Sequence, residues 1–226
     1  MVISDLHLDD DPVGRVVRLS NLVVEYDPEF VISLGDLGVE FDYGLFVREV
    51  LGRSVFRGIY GNHDNVVWMQ NQYNFDGSRV LLEDGGILEV EDLRLGFING
   101  IISVRRRSRK GVPRKFPEEF RMIARKLAGK IDVLCMHEFP VLDELMDRFV
   151  MHTPAYTARE SVQLAHPKLV LCGHIHYRKI EPKLYHIGII REVVVDSTAG
   201  YYVLLDVNEE EIKLMKNGEE VFRLIL

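Results

Sequence analysis

A chain of 226 residues, 47% of them hydrophobic, is long enough to bury one sizeable core, and a single domain over 1–226 is expected. A formal charge of −7 excludes a surface built throughout for nucleic acid or anionic membrane, so any attraction for phosphate has to be local. No apolar run approaches the roughly 20 residues that cross a bilayer, and no leader-like stretch precedes the first polar motif, which points to a cytoplasmic protein.

The first strand is expected over 1–4 and ends at Asp5-Leu6-His7. Asp9-Asp10-Asp11-Pro12 has the acids and first-turn proline of a helix start, and Val13, Val16, Val17, Leu19, Val23 and Val24 carry an apolar face to about Tyr26. A strand over 30–34 runs into Gly35-Asp36, a helix follows over 43–52, and a strand over 54–60 delivers Gly61-Asn62-His63-Asp64. A short helix is expected within 65–74, with Trp68 in the core. From Ser78 the period shortens to that of strands, over 79–82, 86–90 and 93–98, with a turn at Glu91-Asp92.

Arg105-Arg106-Arg107-Ser108-Arg109-Lys110 is a basic run in an acidic chain, and it reads either as a solvated loop or as a lid that grips phosphate. Phe116 to Ala128 reads as a helix buried through Phe120, Ile123, Ala124 and Leu127, and the strand over 131–136 ends at His137. Helices over 141–151 and 156–165 precede a strand over 168–172, which closes on Gly173-His174-Ile175-His176. The remainder is strand-rich, over 192–197, 200–207, 211–216 and 219–226, with a hairpin turn at Asn217-Gly218. These strands are expected to complete a second sheet. Cys135 and Cys172 fall inside predicted buried strands, so they read as small core residues under reducing conditions.

Five polar stretches therefore sit where apolar runs end: Asp5-Leu6-His7, Gly35-Asp36, Gly61-Asn62-His63-Asp64, His137 and Gly173-His174-Ile175-His176. The runs before them suggest a largely parallel, buried sheet, and in such sheets function collects at the carboxyl ends of the strands. An Asp or His closing one strand is ordinarily a turn residue or cap. Together the stretches hold five of the eight histidines, with Asp and Asn beside them, a mixture suited to divalent metals of intermediate hardness. His152, His166 and His186 match no motif and read as surface or structural residues.

The order Asp-x-His, Gly-Asp, Gly-Asn-His-Asp, His, Gly-His-x-His resembles the calcineurin-like metallophosphoesterase superfamily and covers Asp5 to His176. The resemblance implies an α/β fold of two packed mixed β-sheets flanked by helices, a four-layer α/β/β/α sandwich. It implies that Asp5, His7 and His176 hold one metal ion and Asn62, His137 and His174 a second, with Asp36 bridging. His63 is similar to the family's acid catalyst, and Asp64, next in sequence, is a candidate to accept its proton. Arg105, Arg106 and Arg107 are candidate substrate-binding residues.

Two divalent cations roughly 3.5–4 Å apart clamp a phosphoryl group and acidify a bound water. Mn is the favoured cofactor, and the ligand chemistry also admits Fe, Zn, Co or Ni. The implied function is hydrolysis of a phosphodiester or phosphomonoester by in-line attack of a metal-bound hydroxide. A DNA or RNA nuclease would use the same site, although such relatives usually carry an additional capping region; nucleic acid is therefore admitted as a partner but not favoured. A protein phosphatase would show Asp-Arg-Gly after Gly-Asp, which Gly38-Val39-Glu40 does not match. The non-enzymatic alternative is a protein-binding scaffold on the same fold, against which the complete ligand set argues.

Overall fold

The computed structural model describes residues 1–109, 111–146 and 153–226, and in it the five motif-bearing strands divide between two sheets. β1 (Val2–Ile3), β2 (Phe30–Ser33) and β3 (Val55–Gly58) pair in parallel, with Ile3 opposite Ser33 and Ser33 opposite Gly58. β4 (Ile87–Val90) and β5 (Leu93–Ile98) form a hairpin around Glu91-Asp92, and β6 (Ser108–Arg109) and β7 (Val112–Pro113) make a small separate ribbon. β8 (Val133–Met136) and β9 (Leu169–Cys172) are parallel neighbours. β10 (Tyr185–Ile187) and β11 (Ile190–Val194) continue that sheet, while β12 (Tyr201–Asp206), β13 (Glu211–Lys216) and β14 (Glu219–Ile225) form an antiparallel meander.

Among the described residues the result is two mixed six-stranded sheets, ordered β14-β13-β12-β1-β2-β3 and β10-β11-β9-β8-β5-β4. The last three strands thus extend the first sheet, not the second as the sequence suggested. β12 pairs antiparallel with β1, Val2 opposite Val203, so the two-residue β1 is held from both sides. A one-sheet reading fails for a related reason: runs buried on both faces look alike whether a helix or another sheet covers them.

Between the sheets lie Val2, Ile32, Leu34, Phe97, Val133, Cys135, Leu171, Val193 and Val203. The outer face of the first sheet is covered by α1 (Pro12–Tyr26), α2 (Tyr43–Phe46) and α3 (Val66–Asn71) through Val16, Leu19, Val23, Phe46 and Met69. The outer face of the second is covered by α4 (Pro117–Leu127) and α5 (Thr153–Ala165) through Phe120, Leu127, Ala158 and Val162. This is the four-layer α/β/β/α order.

Local chemistry explains the boundaries. Asp11 caps α1, its Oδ1 accepting the Gly14 N–H at 2.9 Å with Pro12 in the first turn, and Asp27 ends the helix in the left-handed region at φ 42°. Asp9 instead accepts the Val39 and Glu40 amides at 3.2 and 2.7 Å, pinning the loop after Asp36. The helix expected over 43–52 is α2 continued by a π turn over Val47–Leu51. Trp68 is half-buried against Phe41, Phe46 and Tyr43, its ring stacked on the last at 4.9 Å.

Two predicted elements do not form as expected. Arg79–Leu82 makes only isolated bridges, Arg79 to Tyr73 and Leu81 to Gly58. Where a helix was expected from Val141, the chain makes a 3-10 turn over Asp143–Leu145, and residues 147–152, with His152, lie outside the described residues. Asp143 and Glu144 are drawn to the Gly188 and His186 amides at 2.8 and 3.1 Å, so tertiary hydrogen bonds replace the helical ladder. Cys135 and Cys172 stand on neighbouring strands but in different layers, and both are free.

Candidate metal centre

The turns after β1 and β2 are zipped together. Asp5 N donates to Gly35 O at 2.9 Å, His7 N to Asp36 O at 2.9 Å and Leu8 N to Leu37 O at 2.6 Å. To project inward from these turns, Asp5, His7, Asp36 and, after β9, His174 adopt φ of 55°, 45°, 56° and 70°. The left-handed region costs a non-glycine residue on the order of 1 kcal/mol, and such strain concentrates at functional sites.

Two clusters of potential ligands result. Asp5, His7 and His176 each offer an atom within 4.8 Å of the others, and so do Asp36, His137 and His174. Asp36 joins them: its Oδ2 lies 3.8 Å from His7 Nε2 and 3.4 Å from His137 Nε2. The close approach depends on glycine. A Cβ on Gly61 would overlap Asp36 Oδ1 and stand 2.6 Å from His137 Nε2, and one on Gly173 would overlap Ser4 Oγ and stand 2.5 Å from Asp5 Oδ2.

Hydrogen bonds hold one side of Asp5, Asp36, His137 and His176. Asp36 Oδ1 accepts the Asn62 and His63 amides at 2.6 and 2.7 Å. Asp5 Oδ2 accepts Ser4 Oγ–H at 2.7 Å and His174 N–H at 3.0 Å. His137 Nδ1 faces the Leu34 carbonyl at 2.9 Å, which assigns the proton to Nδ1 and a lone pair to Nε2. His176 Nδ1 meets Asp196 Oδ1 at 3.2 Å in the same way. Among the described residues, Asp5 Oδ1, Asn62 Oδ1 and His137 Nε2 are buried with no hydrogen-bond partner. A buried lone pair without a donor is costly, and those of Asp5 and His137, one residue from each cluster, are of the kind a divalent cation satisfies.

The electrostatics agree. Burial opposes ionisation of Asp36, but His137 and the His63 amide outweigh it and hold the carboxyl well below its usual range. Burial likewise opposes a charged His137, yet Asp36, Asp5 and Asp64 raise it to about 10. His174, desolvated and beside His137, falls to about 3 and stays neutral. A site this rich in carboxylate gathers positive charge, as a proton or as a metal ion competing for the same lone pairs.

A family model for calcineurin-like phosphoesterases matches residues 1–178. The chain belongs to that family. No curated protein matches it significantly by sequence. A crystal structure superposes on this chain with a TM-score of 0.69 at 13% identity, over 95% of this chain and 97% of that one. TT1561 of Thermus thermophilus does so at 0.67 and 15%, over 95% and 96%. GAP50, the anchor in the inner membrane complex of Plasmodium, does so at 0.58 and 11%, over 100% and 87%. At such identities the likeness is one of fold.

In this phosphoesterase fold the expected site residues separate into three groups. Asp5, His7, Asp36, His137, His174 and His176 converge as described, and Asn62 adjoins them through its backbone amide, 2.6 Å from Asp36 Oδ1. His63 is exposed, its ring edge-on to His7 with centroids 5.3 Å apart. Asp64 points away into the protein: Oδ2 accepts the Asp36 and Gly61 amides at 2.7 and 2.6 Å, and Oδ1 the Leu37 amide at 2.7 Å. No hydrogen bond joins it to His63 among the described residues. Burial and the Asp36 charge push Asp64 up to about 7.

Arg105, Arg106 and Arg107 lie on an exposed loop, with Arg107 paired to Glu119 at 3.3 Å and over the Phe116 ring at 4.8 Å; Lys110 is outside the described residues. Sequence reasoning missed three residues. Asp196, which orients His176, also accepts the Tyr177 amide at 2.8 Å and the Thr198 hydroxyl, and its one signal was an acid closing an apolar strand. Arg15 and Arg178 line the cavity at the His7–His176 end, and nothing in the sequence marked them.

Proposed function

We propose that this chain is a two-metal phosphoester hydrolase. The observation that carries the reading is the Asp36 carboxylate, one oxygen of which lies between His7 and His137, the nearest members of the two ligand clusters. Asp5, His7 and His176 would hold one divalent ion, Asn62, His137 and His174 the other, and Asp36 both. Such ions, when bound, supply Lewis acidity to phosphoryl oxygens and lower the pKa of a water. Mn is the favoured metal of the set Mn, Fe, Zn, Co and Ni.

The chain's own residues do the rest. Asn62 adds a ligand without charge, so the site keeps net attraction for an anionic ester. Asp196 and the Leu34 carbonyl fix the His176 and His137 rings, so the ligand lone pairs need no reorganisation. His63, exposed at the rim, donates a proton to the leaving oxygen as the P–O bond breaks and the water oxygen bonds to phosphorus. Arg105, Arg106 and Arg107 add an exposed positive surface for multiply charged esters. The complete ligand set favours hydrolysis over a purely protein-binding scaffold. A panel of phosphomonoesters, phosphodiesters, nucleotides and single-stranded DNA, assayed with each metal, tests the reading. Turnover of none of them, with two ions bound, would reject it.

A further inference from the structure

His7 and His176 open onto a cavity of 460 Å³ walled otherwise by Asp10, Arg15, Arg178, Asp196, Thr198 and Ala199. Small-molecule sites commonly occupy about 300–1,000 Å³. Both carboxylates of the wall are already engaged, Asp10 with Arg15 at 3.3 Å and Asp196 with His176 at 3.2 Å. Arg15 is also anchored through Nη1 to the carbonyls of Leu6 at 2.6 Å and His7 at 2.5 Å. It supports the metal-ligating turn and presents a fixed positive group to the cavity.

Arg178 is different. It stands two residues beyond His176, is exposed, and makes no ion pair among the described residues. Other arginines of the chain also lack an ion pair, and what sets Arg178 apart is its place: an exposed guanidinium in the wall of the cavity onto which His7 and His176 open, where an anion from outside the protein can meet it. The scissile phosphate belongs at the shared Asp36 end, so a second anion on the same molecule would reach the cavity.

We propose that Arg178, backed by Arg15, forms an anion subsite, and that the substrate is a small phosphoester carrying a second phosphate group. The inference rests on the phosphoesterase reading of the site. A guanidinium takes two phosphate oxygens in a planar fork, which a flexible ammonium cannot reproduce. An ester with a single phosphate leaves the subsite empty.

The test is calorimetric affinity of the metal-loaded protein for adenosine 5′-monophosphate and adenosine 3′,5′-bisphosphate. The wild type should favour the bisphosphate by about tenfold or more, the size of effect one charge-assisted contact gives. Arg178→Ala should bring the ratio close to one, and Arg178→Lys should keep part of it. Lys126→Ala, which removes the same charge from the exposed side of α4, should preserve the ratio. A wild-type ratio near one, or a ratio that survives Arg178→Ala, overturns the subsite. An oligonucleotide that binds more than tenfold tighter than the bisphosphate overturns the small-molecule assignment. Lack of turnover on every ester is a separate result that rejects the phosphoesterase reading, because the affinity ratio needs no turnover.

Discussion

The Asp64 carboxylate accepts the backbone N–H of Asp36 at 2.7 Å, and with it the amides of Leu37 and Gly61 at 2.7 and 2.6 Å. One buried side chain therefore ties the turn that carries Asp36 to the turn that carries Asn62 and His63. With both of its oxygens engaged by backbone amides, Asp64 is proposed to position the turns.

Asp64→Ala is expected to strand those buried amides, each unmade bond costing about 1–3 kcal/mol. Urea unfolding of the metal-free variant should show a loss of about 3 kcal/mol or more, with metal affinity falling in step. Full stability combined with a selective loss of turnover would restore Asp64 to the chemistry.

How much of this was legible from sequence follows from what each residue's neighbours are. Asp5, His7, Asp36, Asn62, His137, His174 and His176 were readable because each ends or closely follows an apolar run, and strand order then brings those ends together. The bonds of Asp64 to the Asp36, Leu37 and Gly61 amides were not readable, because adjacency in sequence says nothing about side-chain direction. Asp196 and Arg178 were missed because their partners, His176 and the cavity, are assembled by contacts that no local pattern encodes. The two-sheet architecture came from the resemblance; the membership of β12 to β14 in the first sheet depends on the pairing of Val203 with Val2 of the two-residue β1, too short to leave a periodic signal.

Asp36→Asn tests the sharing of one carboxylate. The substitution keeps the shape but removes the charge that lies between His7 and His137. Metal analysis after reconstitution should approach two ions per wild-type chain and fall well below that in the variant. A wild type that saturates at zero or one ion under excess Mn refutes the two-metal reading.

Glu192 offers a test away from the site. It is fully buried on β11, accepts the Cys172 thiol at 2.9 Å through Oε1, and has no partner for Oε2 among the described residues. Burial raises its pKa to about 8 from an ordinary 4.5. Its sign is that of a carboxyl folded in the neutral form. Below about pH 4.5 neither state is ionised; from there to about pH 8 the unfolded chain ionises first, and stability drains away by up to about 1.4 kcal/mol per pH unit. Glu192→Gln should abolish that component, so the difference between variant and wild-type stability should grow across this window. Parallel curves would show that Glu192 ionises freely in the fold.

Neutralising Arg105, Arg106 and Arg107 together tests the exposed loop. Charges act chiefly within a Debye length, about 8 Å at physiological salt. The triple variant should raise KM for multiply charged esters and flatten its dependence on salt, while a small singly charged diester changes little. Identical behaviour on every substrate at low salt would leave the loop as solvated surface.

His63→Ala addresses the proton. The residue stands at the rim, ring to ring with His7 at 5.3 Å, and belongs to neither of the two ligand clusters. Metal content should therefore be retained while turnover falls by ~10²–10⁴, the usual cost of losing a general acid. A nitrophenolate leaves with little need of a proton, whereas an alkoxide needs one in full. The loss should accordingly be small for nitrophenyl esters and large for alkyl esters. A variant equally impaired on both would show that His63 acts by placing the substrate, and one that loses an ion would show that it acts through the metals.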